Sequence, residues 1–283
     1  MHALHPHISF LRMALIWLPV FLLAVPLFPA RAQAVIGARQ VALGGAASAL
    51  PGQRWSPFSN PALAPSDRPS LAFFAMRYYG FHELTDAAAV VHLPTGAGTW
   101  SAGGWHYGFE LYRELQLRLS WSLRLGALHL GVAAAGHRVS LGGGYGSQDA
   151  WSLDAGLAAE LAPGLMLGAR AANLSRSAWR TGGGSGDPLH RDLAAGVSWR
   201  MAPSTLLMID LVKETRDPPF LRGGLEVTLL PGLYLRCGAD ARSGSLSGGL
   251  AYQTRRFGVD LAMQRHPDPL LGLSPGMDLY LRL

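Results

Sequence analysis

Gly136-His137-Arg138-Val139-Ser140 sets a histidine three residues before a serine, the two groups a lipid-hydrolysing enzyme of the outer membrane would use if they met. A serine nucleophile needs its base within hydrogen-bond reach. Residues three apart on a strand point to opposite faces, so His137 and Ser140 do not form such a pair. No G-x-S-x-G elbow and no Walker phosphate loop occurs in the sequence. His129 and His137 share a face but lie eight residues apart, too far to grip one metal from a single strand. The single cysteine, Cys237, excludes a disulfide framework, a thiolate zinc site and a CxxC redox pair. The expectation is a protein that is not an enzyme and carries no cofactor or metal.

The remaining polar chemistry is electrostatic. The chain has 24 Lys and Arg against 18 Asp and Glu, a formal net charge of +6. The basic residues are spread singly, and a nucleic-acid surface would cluster them. At 49% apolar and 15% charged, the composition also excludes a disordered chain.

The elements that must position these groups begin after residue 34. His2, His5, His7 and Arg12 precede an apolar run, Met13–Phe28, and small residues follow at Ala30-Arg31-Ala32-Gln33-Ala34. This is the pattern of a cleaved export signal. Pro19 and Pro26 interrupt the run, which is also shorter than the roughly 20 residues a spanning helix needs.

Beyond it, period-two alternation dominates. Glu114, Gln116, Arg118, Ser120, Ser122 and Arg124 form one face of a stretch whose other face is Leu115, Leu117, Leu119, Trp121, Leu123 and Leu125. Such a strand is about 40 Å long at about 3.3 Å per residue, and a tilted membrane strand needs about 9–11 residues. The pattern recurs near 69–78, 86–93, 98–107, 113–125, 127–139, 150–161, 165–175, 191–201, 204–213, 220–229, 232–241, 245–254, 256–265 and 276–283. Tight links such as Gly126 and Ala202-Pro203 alternate with longer loops such as Ser140–Asp149 and Arg176–His190. The reading is all-β: a single antiparallel transmembrane β-barrel of about fourteen strands, with short periplasmic turns and longer outer loops.

The final strand ends on apolar Leu283, similar to the signal that barrel-assembly machinery reads, although the usual last residue is aromatic. The expected inward face carries both signs, including Arg118, Asp154, Arg170, Asp192, Asp210, Glu226, Arg236, Asp260 and Asp278, which suggests paired charges bracing the wall. Tyr78, Tyr79, Phe81, Trp105, Tyr107, Phe109 and Tyr112 gather near the first outer loops. An interfacial girdle is the first reading of them, and a vestibule for an apolar ligand the second.

Residues 35–67 lack alternation and precede the first strand, so they are the natural luminal plug, with the barrel occupying 68–283. Val35–Ala46, with its Gly44-Gly45-Ala46, followed by Asn60-Pro61-Ala62, resembles the N-terminal signature of FadL-like outer-membrane barrels. Within these it is closest to the PorV/PorQ branch associated with type IX secretion, and Leu165–Leu174 is similar to a strand of that branch. The resemblance implies a hatch containing Gly44, Gly45, Asn60, Pro61 and Ala62. It also implies location in the outer membrane of a Gram-negative-type bacterium, with passage of hydrophobic small molecules or partnership with secretion components or cargo. A structural or protein-binding scaffold without transport is the alternative, and a lipid hydrolase a more distant one. Strand glycines mark bulges, so Gly103-Gly104 is expected to form a bulge and a lateral gate beside Asn60–Ala62.

Overall fold

The computed structural model describes residues 35–181, 184–215 and 217–283. The expected export signal, residues 1–34, lies outside the described residues.

The strands are β1 (Ser70–Arg77), β2 (Thr85–Thr95), β3 (Gly98–Phe109), β4 (Tyr112–Leu125), β5 (Leu128–Leu141), β6 (Gly146–Ala162), β7 (Leu165–Ala171) and β8 (Ala178–Thr181). They continue with β9 (Gly184–Pro188), β10 (Asp192–Ala202), β11 (Thr205–Glu214), β12 (Phe220–Leu230), β13 (Leu233–Asp240), β14 (Ser245–Gln253), β15 (Phe257–Arg265) and β16 (Leu273–Arg282). All but β8 and β9 join one antiparallel ring, fourteen strands among the described residues. β7 pairs with β10 across the intervening excursion, and β1 pairs with β16. The ladder therefore has no free edge, which is what a hydrocarbon environment demands of a β-structure.

The fourteen expected segments correspond to the fourteen ring strands, and the departures have local causes. β7 stops at Ala171 because Asn173 adopts a left-handed φ of 51°. Its side chain then holds the outgoing loop, donating to the Leu189 carbonyl at 3.0 Å and accepting from the Ser177 amide at 3.0 Å. The loop expected at 176–190 folds back as the β8–β9 hairpin. The link between β3 and β4 is only a two-residue turn at the end where the longer loops gather.

The direction of the two faces distinguishes a membrane barrel from a soluble one. Along β4, Leu115, Leu117 and Leu119 are 39–59% exposed on the outside, whereas Ser120 and Ser122 are buried on the inside. Outward leucines, valines and tryptophans recur round the ring, among them Val132, Leu157, Leu193, Leu211, Leu250 and Leu279. A continuous apolar exterior around a polar interior is the inverse of a soluble protein and fits a lipid surface. Trp100, Trp199, Tyr252 and Phe257 are outward residues near the tight-turn ends of their strands, where an aromatic girdle belongs.

The hydrophobic core lies between the inner wall and residues 35–66. That segment contains a short helix, α1 (Ala38–Ala42), and two single 3-10 turns, Ser56–Phe58 and Pro61–Leu63. Ile36, Val41 and Trp55 pack with Phe74, Met76, Val90 and Tyr280 from β1, β2 and β16. Each large side chain so buried contributes about 1.5–3 kcal/mol.

Candidate functional site

The N-terminal segment is held by inward carboxylates. Asp278 Oδ2 accepts the Ala38 amide at 3.0 Å and the Trp55 indole N–H at 3.1 Å. Asp210 Oδ2 accepts the Ala47 and Ser48 amides and the Ser48 hydroxyl at 2.8–2.9 Å. Arg39 grips Glu226 with two bonds of 2.8 Å, and Arg54 pairs with Asp260. Arg118 of β4 donates to the Pro57 carbonyl at 2.8 Å, and His92 of β2 donates to the Arg54 carbonyl at 2.7 Å. Two-point guanidinium–carboxylate bonds are among the strongest polar contacts available.

The residues singled out by family resemblance all lie in this segment. Gly44 has φ +67°, and a Cβ there would sit 2.4 Å from the Ala239 carbonyl oxygen of β13, so only glycine fits. Asn60 is fully buried and caps the Pro61–Leu63 turn by accepting the Ala62 amide at 3.1 Å. Its amide nitrogen donates to the carbonyls of Ser48 (2.6 Å), Leu157 (3.2 Å) and Ala169 (3.3 Å). Pro61 and Ala62 lie against wall glycines 131 and 156, where any side chain would collide with them.

Gly103 and Gly104 sit elsewhere and behave differently from expectation. The ladders on both sides of β3 run through them without a register shift, Val90↔Gly103↔Arg118 and Ala89↔Gly104↔Leu117, so no bulge forms. A Cβ on Gly103 would lie 2.8 Å from the Phe58 ring, so this glycine admits the segment's aromatic residue close to the wall. Asn60–Ala62 rest against β5 and β6, and Phe58 is the segment's neighbour of Gly103.

Above the segment, in the half of the barrel toward the longer loops, is a cavity of about 450 Å³. Ile36 and Phe58 floor it, and Tyr78, Trp105, Tyr107 and Trp179 contribute its aromatic walls. Trp105 is buried and Tyr78 and Tyr107 line the cavity, so these rings face the lumen and not a lipid girdle, while Phe81 and Phe109 are exposed. Trp105 and Tyr107 lie parallel at 6.3 Å, and Tyr78 and Tyr112 each meet Tyr107 edge-on at 6.3 and 6.4 Å. Asp86 orients two of these rings, accepting the Trp105 indole N–H at 2.8 Å and the Tyr78 hydroxyl at 2.6 Å. Burial together with that carboxylate pushes the Tyr78 phenol well above its ordinary pKa, so it remains a donor. Most charges on the cavity wall are paired, Arg118 with Asp154 and Arg170 with Asp192.

The fold brings His137 to a serine that spacing did not single out. His137 Nε2 is 3.0 Å from Ser152 Oγ on the neighbouring strand. Gln116 Oε1 accepts from Arg118 Nε at 3.0 Å, which turns the Gln116 amide nitrogen toward His137 Nδ1 at 2.8 Å. An amide nitrogen donates, so Nδ1 accepts and the proton sits on Nε2, facing the serine. In that tautomer His137 donates to Ser152 and does not act as its base.

Sequence reasoning missed Asp86, Asn173 and His92. Asp86 and His92 left a signal, being polar residues on one face of an alanine- and valine-rich strand, and Asn173 closes the Leu165–Leu174 motif without its turn being foreseen.

No family model matches the chain, and no curated protein matches it. Solved structures do. The Pseudomonas putida toluene transporter TodX superposes with a TM-score of 0.61 at 13% identity, covering 90% of this chain and 98% of that one. The Ralstonia pickettii toluene transporter TbuX gives 0.60 at 15% identity, with 87% and 98% covered. A Pseudomonas aeruginosa FadL homologue gives 0.52 at 11% identity, with 90% and 98% covered. The chain thus has the fold of the FadL-like outer-membrane channels.

Proposed function

We propose that the protein is an outer-membrane channel for hydrophobic small molecules, in which residues 35–66 act as a hatch and the aromatic cavity above them receives the solute. The observation that carries this reading is the stacking of three features along one axis: an apolar exterior, a closed polar wall, and an aromatic-lined cavity whose floor belongs to the anchored segment. The structural neighbours that carry toluene and other monoaromatic hydrocarbons support the choice of solute class. Gly44, Gly45, Asn60, Pro61 and Ala62 serve the hatch by close approach and capping. A sideways exit at Gly103-Gly104 would require Phe58 to withdraw from the wall. No catalytic role is assigned, because His137 presents a proton to Ser152. The secretion-associated reading rests on the sequence motifs alone, and co-purification from native membranes with secretion components would favour it.

The test is uptake of toluene into proteoliposomes by the intact barrel and by a variant lacking residues 35–66. The intact protein should accelerate uptake over empty liposomes, and the shortened barrel should also pass small hydrophilic solutes. A barrel that passes no toluene, with or without the segment, refutes the reading.

A further inference from the structure

We propose that the cavity favours solutes that combine an apolar body with a positive charge, an arylalkylammonium ion being the simplest; the inference rests on the cavity's being the solute site. Asp86, Tyr107 and Glu114 are register partners in one row across β2, β3 and β4. With strands about 4.8 Å apart, the two acids flank the tyrosine at a backbone separation of about 10 Å. Both lie on the cavity wall.

These two acids differ from most of the other inward carboxylates. Asp154, Asp192, Glu214, Glu226, Asp240 and Asp260 each face a guanidinium. Asp210 and Asp278 take the donors of the N-terminal segment. Asp86 receives only the neutral Tyr78 and Trp105 groups, and Glu114 receives the Tyr112 hydroxyl at 2.5 Å. Among the described residues no arginine, lysine or histidine pairs with either. On a cavity wall where Arg118, Arg138 and Arg170 each face an acid, the aromatic end carries two carboxylates with neutral partners only.

The rings add to it. An aromatic face attracts a cation through its quadrupole, most strongly where water is thinned. Tyr78, Tyr107 and Tyr112 stand edge to face around the acids, and Trp105 lies parallel to Tyr107. Rings beside a carboxylate are the chemistry that recognises alkylated ammonium groups, and the half-buried Glu114, not the fully buried Asp86, is the acid a solute can reach. An anionic solute would meet repulsion at the same place.

The experiment compares benzyltrimethylammonium with its uncharged carbon isostere, neopentylbenzene, on the full-length barrel in detergent, read by quenching of tryptophan fluorescence. The cation should bind at least tenfold more tightly at low salt, and the preference should shrink as salt rises. In Glu114→Gln, which retains an acceptor for Tyr112, the ratio of the two affinities should fall toward one. Equal or weaker binding of the cation by the wild-type barrel overturns the inference while leaving the hydrophobic-solute reading in place. A cation preference that Glu114→Gln and salt both leave untouched also overturns it. Failure of both compounds to bind removes the cavity as a solute site, and the inference falls with it.

Discussion

Replacing Asn60 by aspartate changes one amide nitrogen to oxygen and nothing in volume, yet it reverses the polarity of the contact that seats the N-terminal segment. The wild-type nitrogen donates to three carbonyls, Ser48, Leu157 and Ala169, in a site of 0% exposure. A carboxylate there would face three acceptors with no cation beside it. Leaving a buried charge uncompensated costs about 3–5 kcal/mol. At about 1.4 kcal/mol per decade, that is roughly a 10²- to 4 × 10³-fold rise in the population of unseated segment. Asn60→Ala loses the same donors without adding charge and leaves the buried Ala62 amide unpaired, a cost of about 1–3 kcal/mol. Hydrogen exchange of the amides in residues 35–66, in detergent at pH 7.5, reads both. The aspartate should lose more protection than the alanine.

The pH dependence has a fixed sign. The aspartate's site disfavours the charged form, so its folded pKa is raised above the unfolded value. The defect is therefore full above the raised pKa and eases as pH falls through it, when the protonated acid can donate one bond again. Equal protection in Asn60→Asp and wild type, or a defect that deepens on acidification, would refute the role given to Asn60.

Gly103→Val should destabilise the barrel by about 1–3 kcal/mol through overpacking against Phe58, and Phe58→Ala in the same chain should relieve part of that cost in urea unfolding. Strict additivity of the two changes would show that the glycine is not there for the ring. Arg236, whose side chain is 0% exposed, bonds Glu226 at 2.7 Å and faces Asp260 at 3.6 Å. Arg236→Ala should cost about 3–5 kcal/mol, measured by the same unfolding curves, and a loss below 1 kcal/mol would mean that Arg39 and Arg54 suffice for the two acids.

Much of the architecture was legible because a ring strand has only two faces. Alternation at Glu114–Leu125 located β4 closely, and the pairing of charges on the inner wall followed from their mixed signs. The aromatic cluster near the first loops was harder, since a tyrosine at a strand end reads alike whether it faces lipid or lumen. Its inward aim depends on Asp86, whose role appears only once Trp105 and Tyr78 stand across from it. Gly103 illustrates the same limit. A glycine within a strand signals either a bulge or a close neighbour, and the neighbour here, Phe58, comes from a segment with no periodic signal of its own. The pairing of His137 with Ser152 was invisible for a simpler reason: it crosses between strands and needs their register.

The anchors of the N-terminal segment have a consequence for assembly order. Ala38 reaches a partner 240 residues away, Arg54 one 206 away and Arg39 one 187 away. Contacts of such sequence separation are slow to form, because the intervening chain must be ordered first. The stretch that leaves the ribosome ahead of every strand is thus the one whose docking waits for β11, β12, β15 and β16. Until those strands arrive, its own carboxylate partners do not exist, and the inner wall closes around a tenant that has been waiting since synthesis began.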